Sequence, residues 1–271
     1  MKKLLFTGSF LLVAFSLFSQ QQKNNYSFFQ NIKGDRKVFA DTAVLRVAPS
    51  TGAATGDTLY LGENINILME VPYSEVRNNI VSPWLKITYK KGGYTKVGFI
   101  SAVDVAIGDN QASKELEFVW GLERNIRKDT LVNNEIKFLN HYTAKLKVKG
   151  TNKKWIEELI DIPAAMNVDT VMVTTFKKTK LNNSRGVVQI ELSSTSVKSV
   201  IYQYNIILCN KNKFAQLEVI NTIQNPQKEL RPLRSAYVFS SNKIVFKMSG
   251  FMDGDKELDT YKWKDCSVIK L

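Results

Sequence analysis

Histidine occurs once in the 271 residues and cysteine twice. Zinc sites built on two or more histidines are thereby excluded, and two cysteines cannot complete a four-thiolate site. No Gly-x-Ser-x-Gly is present, so the nucleophile elbow of the serine hydrolases is missing. Neither Cys209 nor Cys266 sits in a recognisable catalytic or redox motif. The acidic stretch with Asp253, Asp255 and Asp259 lacks the ligand order of an EF-hand and reads as a polar turn. No catalytic residue, metal site or cofactor is therefore expected. Glycoside hydrolysis needs only two carboxylates across a cleft and stays open as an alternative, with Glu157, Glu158 and Asp161 as its candidates.

Long apolar runs are also missing. The longest, Leu4 to Phe18, is broken by Thr7, Gly8, Ser9 and Ser16 and falls short of the roughly 20 residues that a membrane-spanning helix needs. With Lys2 and Lys3 before it and small and polar residues after it, it reads as a secretory signal peptide over 1–19, cut before Gln20. No cysteine lies nearby to be acylated, so the exported chain is not expected to be a lipoprotein or to keep a transmembrane segment. The expected location is the periplasm or the extracellular space. In such an oxidising compartment Cys209 and Cys266 either pair or remain as two buried thiols.

What the chain does have is a core and a positive charge. Apolar residues make up 44% and aromatics 11%, which sets it apart from disordered or fibrous sequences. Lys and Arg number 38 against 25 Asp and Glu, and the excess survives removal of Lys2 and Lys3. Outside the cytoplasm this favours an anionic surface polymer or lipid over nucleic acid as a partner, or serves solubility alone. Lys145, Lys147 and Lys149 share one face of a predicted strand, with Lys153, Lys154, Lys177, Lys178 and Lys180 nearby in sequence. They read either as an anion-binding patch or as guards of an exposed sheet.

Short runs of Val, Ile, Leu and aromatics between Pro, Gly and Asn continue from Lys37 to the end and predict an all-β chain. Residues 20–35 read as a linker or a loose first strand, 36–107 as a small barrel, 108–114 as a second linker and 115–271 as a larger, antiparallel β-sandwich-like domain. Strict alternation over Lys145 to Lys149 and Val188 to Leu192 implies a sheet with one polar face. Val200 to Cys209 ends apolar on both faces, as in the central strand of a sandwich. One helix is expected, over Lys153 to Ile160, where Trp155 and Leu159 stand four apart.

One stretch is more specific. In Val44 to Thr51 an arginine sits between apolar residues, Leu45-Arg46-Val47, and Pro49-Ser50-Thr51 follows. Gly62 precedes a hydrophobic strand, Trp84 opens the next, and Gly98-Phe99-Ile100 closes the segment. In order and spacing, residues 38–105 resemble a bacterial SH3-type (SH3b) domain. The family usually has Trp at the position of Phe99 and Asn at that of Val44, and a shorter connection than Val71 to Pro83. Pro49 ends ladder pairing. Arg46 is read as structural, its stem on the barrel and its guanidinium on loop carbonyls or a carboxylate. Gly62 and Gly98 are read as bend positions.

The resemblance implies a small barrel that binds cell-wall peptide or acts as a targeting or spacer module. It also raises a cysteine peptidase, but in that associated class the Cys precedes the His, whereas His141 precedes both cysteines here. The ligand-binding candidates are Tyr73, Trp84, Tyr94 and Phe99, with Trp84 and Phe99 read first as filling the barrel and Tyr73 and Tyr94 as the better surface candidates. The expectation is a non-catalytic binding or scaffold protein of the cell envelope, its partner a wall peptide or an envelope protein. The alternatives are a carboxylate-based glycan hydrolase and a component of a surface assembly.

Overall fold

The computed structural model describes residues 27–29, 32–109, 116–132, 135–150, 152–162, 170–176, 180–194, 199–210, 212–224, 234–249 and 256–271. The predicted signal peptide lies outside them. The chain is all-β, as the alternation predicts: four antiparallel sheets, and no α-helix among the described residues.

The first sheet curls into a half-barrel. It contains β1 (Gly34–Lys37), β2 (Thr42–Arg46), β3 (Thr55–Tyr60), β4 (Asn64–Arg77), β5 (Ile80–Lys91) and β6 (Tyr94–Ser101), in the order β1-β4-β5-β6-β2-β3. Ala43 and Leu45 on β2, Ile65 and Ile67 on β4, Leu85 and Ile87 on β5 and Ile100 on β6 point inward. The period of two puts Thr42, Val44 and Thr88 on the other face. After β6 a single 3-10 turn, Ala102–Asp104, brings Val105 back to bridge Val38, which ties the two ends of the segment together.

The connection between β4 and β5 is a long hairpin where the sequence reads as an extended loop. Asn78 and Asn79 both have positive φ, 52° and 59°, which suits the tight two-residue turns that match strand twist. The ladder runs from Arg77 opposite Ile80 to Ser74 opposite Pro83, then skips to Val71 opposite Trp84. Pro72 and Tyr73 are the two extra residues of a bulge. Pro72 has no N–H to give to a ladder, and a bulge of this kind turns side chains away from the sheet. The tip docks on a neighbouring strand: Asn125 Nδ2 donates to Asn79 O at 3.1 Å, and Asn78 Nδ2 donates to Glu123 O at 3.1 Å.

The second sheet has the order β10-β9-β8-β7, from β7 (Gly108–Asp109), β8 (Phe118–Val132), β9 (Glu135–Lys149) and β10 (Trp155–Ile162). β10 corrects the expected helix. Its pairing runs from Trp155 opposite Lys149 to Ile162 opposite Tyr142, with Ile160 and Ile162 buried. A spacing of four is even, so Trp155 and Leu159 share a face in a strand as well as in a helix. Ile156 and Leu159 stand three apart, an odd spacing that favours a helix, yet in the strand they fall on opposite faces and Leu159 is 55% exposed while Ile160 is buried.

A third sheet follows in chain order: β11 (Thr170–Phe176), β12 (Ser184–Ser194), β13 (Ser199–Cys209) and β14 (Phe214–Gln224). Val188, Ile190, Leu192, Tyr204, Ile206 and Leu208 pack into the core that also contains the barrel and the second sheet. Val187, Ile207, Cys209 and Leu217 join a separate core with Ile244, Phe246, Tyr261 and Trp263. The latter belong to the fourth sheet, β15 (Arg234–Phe239), β16 (Lys243–Ser249), β17 (Lys256–Lys264) and β18 (Ser267–Lys270). The third sheet is thus a middle layer, which accounts for the two apolar faces of Val200 to Cys209. Cys209 and Cys266 form a disulfide with Cα atoms 5.9 Å apart, linking this layer to the fourth sheet.

The main core runs without a break from Phe28 to Leu208 and so crosses the expected linker at 108–114. Gly108 and Asp109 pair with Trp120 and Val119, and residues 110–115 are outside the described set. Within 20–35, Phe28 and Phe29 are buried, and Phe28 meets Tyr142 edge to face at 5.0 Å.

Candidate functional site

A groove of about 490 Å³ opens on the first sheet between the loop after β2 and the bulge in β4. Ala48, Pro49, Ser50 and Thr51 form one wall, and Tyr73, Ser74 and Glu75 the other, with Trp84 between them. Each position has a local cause. Pro49 stops the β2 ladder, and Arg46 holds the loop it starts, Nη1 donating to Ala53 O at 3.0 Å. On the opposite side the bulge at Pro72 and Tyr73 leaves the Tyr73 side chain 60% exposed. Trp84 is 4% exposed and forms the floor. Under this corner Ser82 and Ser101 share a buried hydroxyl hydrogen bond at 2.9 Å.

The Glu75 wall is braced by charge. Arg77 Nη2 lies 2.7 Å from Asp104 Oδ2 and 3.6 Å from Glu75 Oε1. Burial pushes the Asp104 carboxyl above its usual range, and Arg77 opposes that without cancelling it.

Of the four predicted ligand-binding residues the groove gathers two, Tyr73 and Trp84. Tyr94 is 75% exposed at the β5–β6 turn, opposite Lys91. Trp84 is seven residues back along β5, about 23 Å away at roughly 3.3 Å per residue. Phe99 is half-buried on β6, opposite Arg46 and Lys86, and does not line the groove. Of the motif residues, Pro49 lines the groove and Arg46 orders its loop through a carbonyl. Gly62 adopts φ +84°, and a Cβ there would come within 2.7 Å of the Trp155 ring. Gly98 has no positive φ and sits mid-strand, where Leu45 and Tyr89 come within 3.5 Å of a Cβ position. Its missing side chain makes room for that packing.

Of the lysines read as a basic patch, Lys145, Lys147 and Lys149 are ion-paired, while Lys153, Lys154 and Lys180 are exposed. Lys145 Nζ is 3.0 Å from Glu157 and 3.3 Å from Glu123, and Lys149 Nζ is 2.9 Å from Glu117. Lys147 is 4% exposed, 2.7 Å from Asp41 and above the Phe39 ring. Lys37 joins Glu117 at 3.2 Å. Three lysines of one strand face thus form an ionic seam against the barrel. They neither present a free cationic patch nor guard an open face. Lys177 and Lys178 lie outside the described residues.

The carboxylates considered for glycan hydrolysis do not face one another. Glu157 and Glu158 are adjacent on β10 and point to opposite faces. Asp161 is four residues from Glu157, about 13 Å along the strand, beyond the roughly 5 to 9.5 Å of a hydrolytic pair. Glu157 is engaged by Lys145, and Asp161 lies 3.7 Å from His141 Nε2. Among the described residues no group of three His, Cys, Asp or Glu is placed to hold a metal ion. No described helix is long and apolar enough to cross a membrane. Glu75, Ser74 and the hydroxyls of Ser50 and Thr51 were missed by sequence reasoning. The one signal that pointed there was the Pro-Ser-Thr run.

No protein-family model, curated protein or solved structure matches the chain.

Proposed function

We propose that this is a non-catalytic binding protein of the bacterial cell envelope, exported by its N-terminal segment. Its half-barrel, built on the SH3b plan, takes an extended peptide of wall material or of an envelope protein. The observation that carries this reading is the groove between Ala48–Thr51 and Tyr73–Glu75 over Trp84. Its volume falls within the roughly 300 to 1,000 Å³ of small-ligand sites. The exposed Tyr73 offers apolar contact with little side-chain entropy to lose, above the nearly buried Trp84 that closes the floor. The sheets behind it position a partner or hold the barrel in place.

The test is co-sedimentation of the purified exported chain with insoluble peptidoglycan at low and moderate salt, with Tyr73→Ala alongside. Retention at moderate salt that Tyr73→Ala abolishes supports the reading. Retention that vanishes with salt and ignores Tyr73 means that net charge alone holds the protein, and the reading fails.

A further inference from the structure

The groove contains a single charged side chain, and it is acidic. Lys and Arg outnumber Asp and Glu by 38 to 25 across the chain, yet neither lines this groove, while Glu75 does. The Glu75 side chain is 11% exposed, so its charge is only partly screened by water. Its ion pair with Arg77 is a loose one, with no hydrogen bond between this nitrogen and the carboxylate. The 3.6 Å separation is beyond hydrogen-bond length, whereas the same nitrogen is 2.7 Å from Asp104. With both carboxylates ionised, the trio carries one net negative charge beside the groove.

Tyr73 and Ser74 share the wall of Glu75, Ser50 and Thr51 line the wall opposite, and Trp84 lies between. Aromatic faces attract cations through their quadrupole, and hydroxyl oxygens accept hydrogen bonds. A primary ammonium is a compact charge with three donors, so it matches a carboxylate, a π face and a hydroxyl arranged around one space. We infer that the groove recognises its peptide through a side-chain primary ammonium, with Glu75 as the accepting carboxylate and Tyr73 as the aromatic wall over the Trp84 floor. This rests on the peptide-binding reading above and names the chemical class of that peptide.

The test uses the exported chain, labelled with nitrogen-15, and two blocked pentapeptides. One is Gly-Gly-Lys-Gly-Gly, and the other carries Nε-acetyl-lysine at its centre. Amide shifts of Ser50, Ser74 and Glu75 are followed at about 0.15 M salt, where exposed charges are largely screened beyond roughly 8 Å. The lysine peptide is expected to shift these amides and to bind about tenfold or more tightly than the acetylated one. Glu75→Gln should erase that difference, while Tyr73→Ala weakens both peptides. Unchanged amide spectra away from the groove verify that each variant is folded. Equal binding of the two peptides to the wild type overturns the ammonium inference and leaves peptide binding intact. If neither peptide shifts the groove while peptidoglycan still retains the protein through Tyr73, the inference alone is overturned. If both fail, the groove reading falls with it.

Discussion

Arg46 Nη1 donates to Ala53 O across seven residues of its own loop, and this bond sets one wall of the groove. The arginine lies opposite Phe99 in the ladder, so its stem is fixed by the sheet while its guanidinium reaches the loop. The chemistry of the Arg-Val-Ala-Pro-Ser-Thr run is thus one of positioning. Arg46→Ala should cost about 1 to 2 kcal/mol of stability, roughly that of a charge-assisted hydrogen bond. It should also open the loop from Val47 to Ala54 to proteases. Arg46→Lys should not restore the loop, since an ammonium lacks the planar reach of the guanidinium. Thermal unfolding with limited proteolysis checks both statements.

Gly62 and Gly98 should respond very differently to alanine. Gly62 has φ +84° and would place a Cβ against the Trp155 ring. Gly62→Ala should therefore destabilise by about 2 kcal/mol or more, from the left-handed backbone and the clash together. Gly98→Ala meets only ordinary contacts at 3.5 Å and should change stability by under about 1 kcal/mol. In a double-mutant cycle, Trp155→Ala should recover the steric part of the Gly62 loss and none of the backbone part.

Much of the fold was legible for a simple reason: strands with one wet face advertise their period. Val188 to Leu192 alternates and does bury its Val188, Ile190 and Leu192 in one core. The run to Cys209 loses its polar face where the fourth sheet covers it. The failures also have causes. In β10 the apolar residues Trp155, Ile156, Leu159 and Ile160 would share one helix face, and only pairing with β9 turns Leu159 to the solvent. The β4–β5 hairpin was obscured by Pro72, which marks a bulge there and not a loop. The ionic seam depends on pairs such as Lys147 with Asp41, which are 106 residues apart, and no local pattern encodes them. The groove was half legible, because aromatics stand out in a sequence while the hydroxyls and Glu75 gain meaning only when the Ala48–Thr51 loop comes alongside β4.

The disulfide should matter most to the C-terminal layers. Cys209 and Cys266 are 57 residues apart, and closing such a loop constrains the unfolded chain by roughly 4 kcal/mol in the entropy model. Reduction, or Cys209→Ala with Cys266→Ala, should lower the urea midpoint without changing the groove. Equal midpoints in the presence and absence of reductant would contradict this.

The ionic seam should make stability fall in acid. Burial pushes the Glu117 carboxyl up, but hydrogen bonds from Lys149 and Lys37 outweigh it and hold the group below its ordinary value of 4.5. A carboxylate lowered in the folded state contributes stability that is fully present above its unfolded value. That contribution is lost as pH falls through the folded one. Asp104 has the opposite sign: raised by burial, it contributes most when protonated, and that contribution is lost as pH rises through its folded value. Glu117→Gln should flatten the acid limb of a stability profile, and Asp104→Asn should steepen it. Urea unfolding across the carboxylate range reads both.

The most direct test of the groove places a photo-crosslinking phenylalanine analogue at position 73 in one protein and at position 94 in another, each irradiated with intact peptidoglycan sacculi. Both tyrosines are exposed on the same sheet, but only Tyr73 lines the groove. Adducts from position 73 and none from position 94 are the predicted result. Equal adducts from both, or adducts from position 94 alone, would contradict the assignment of the groove as the binding surface.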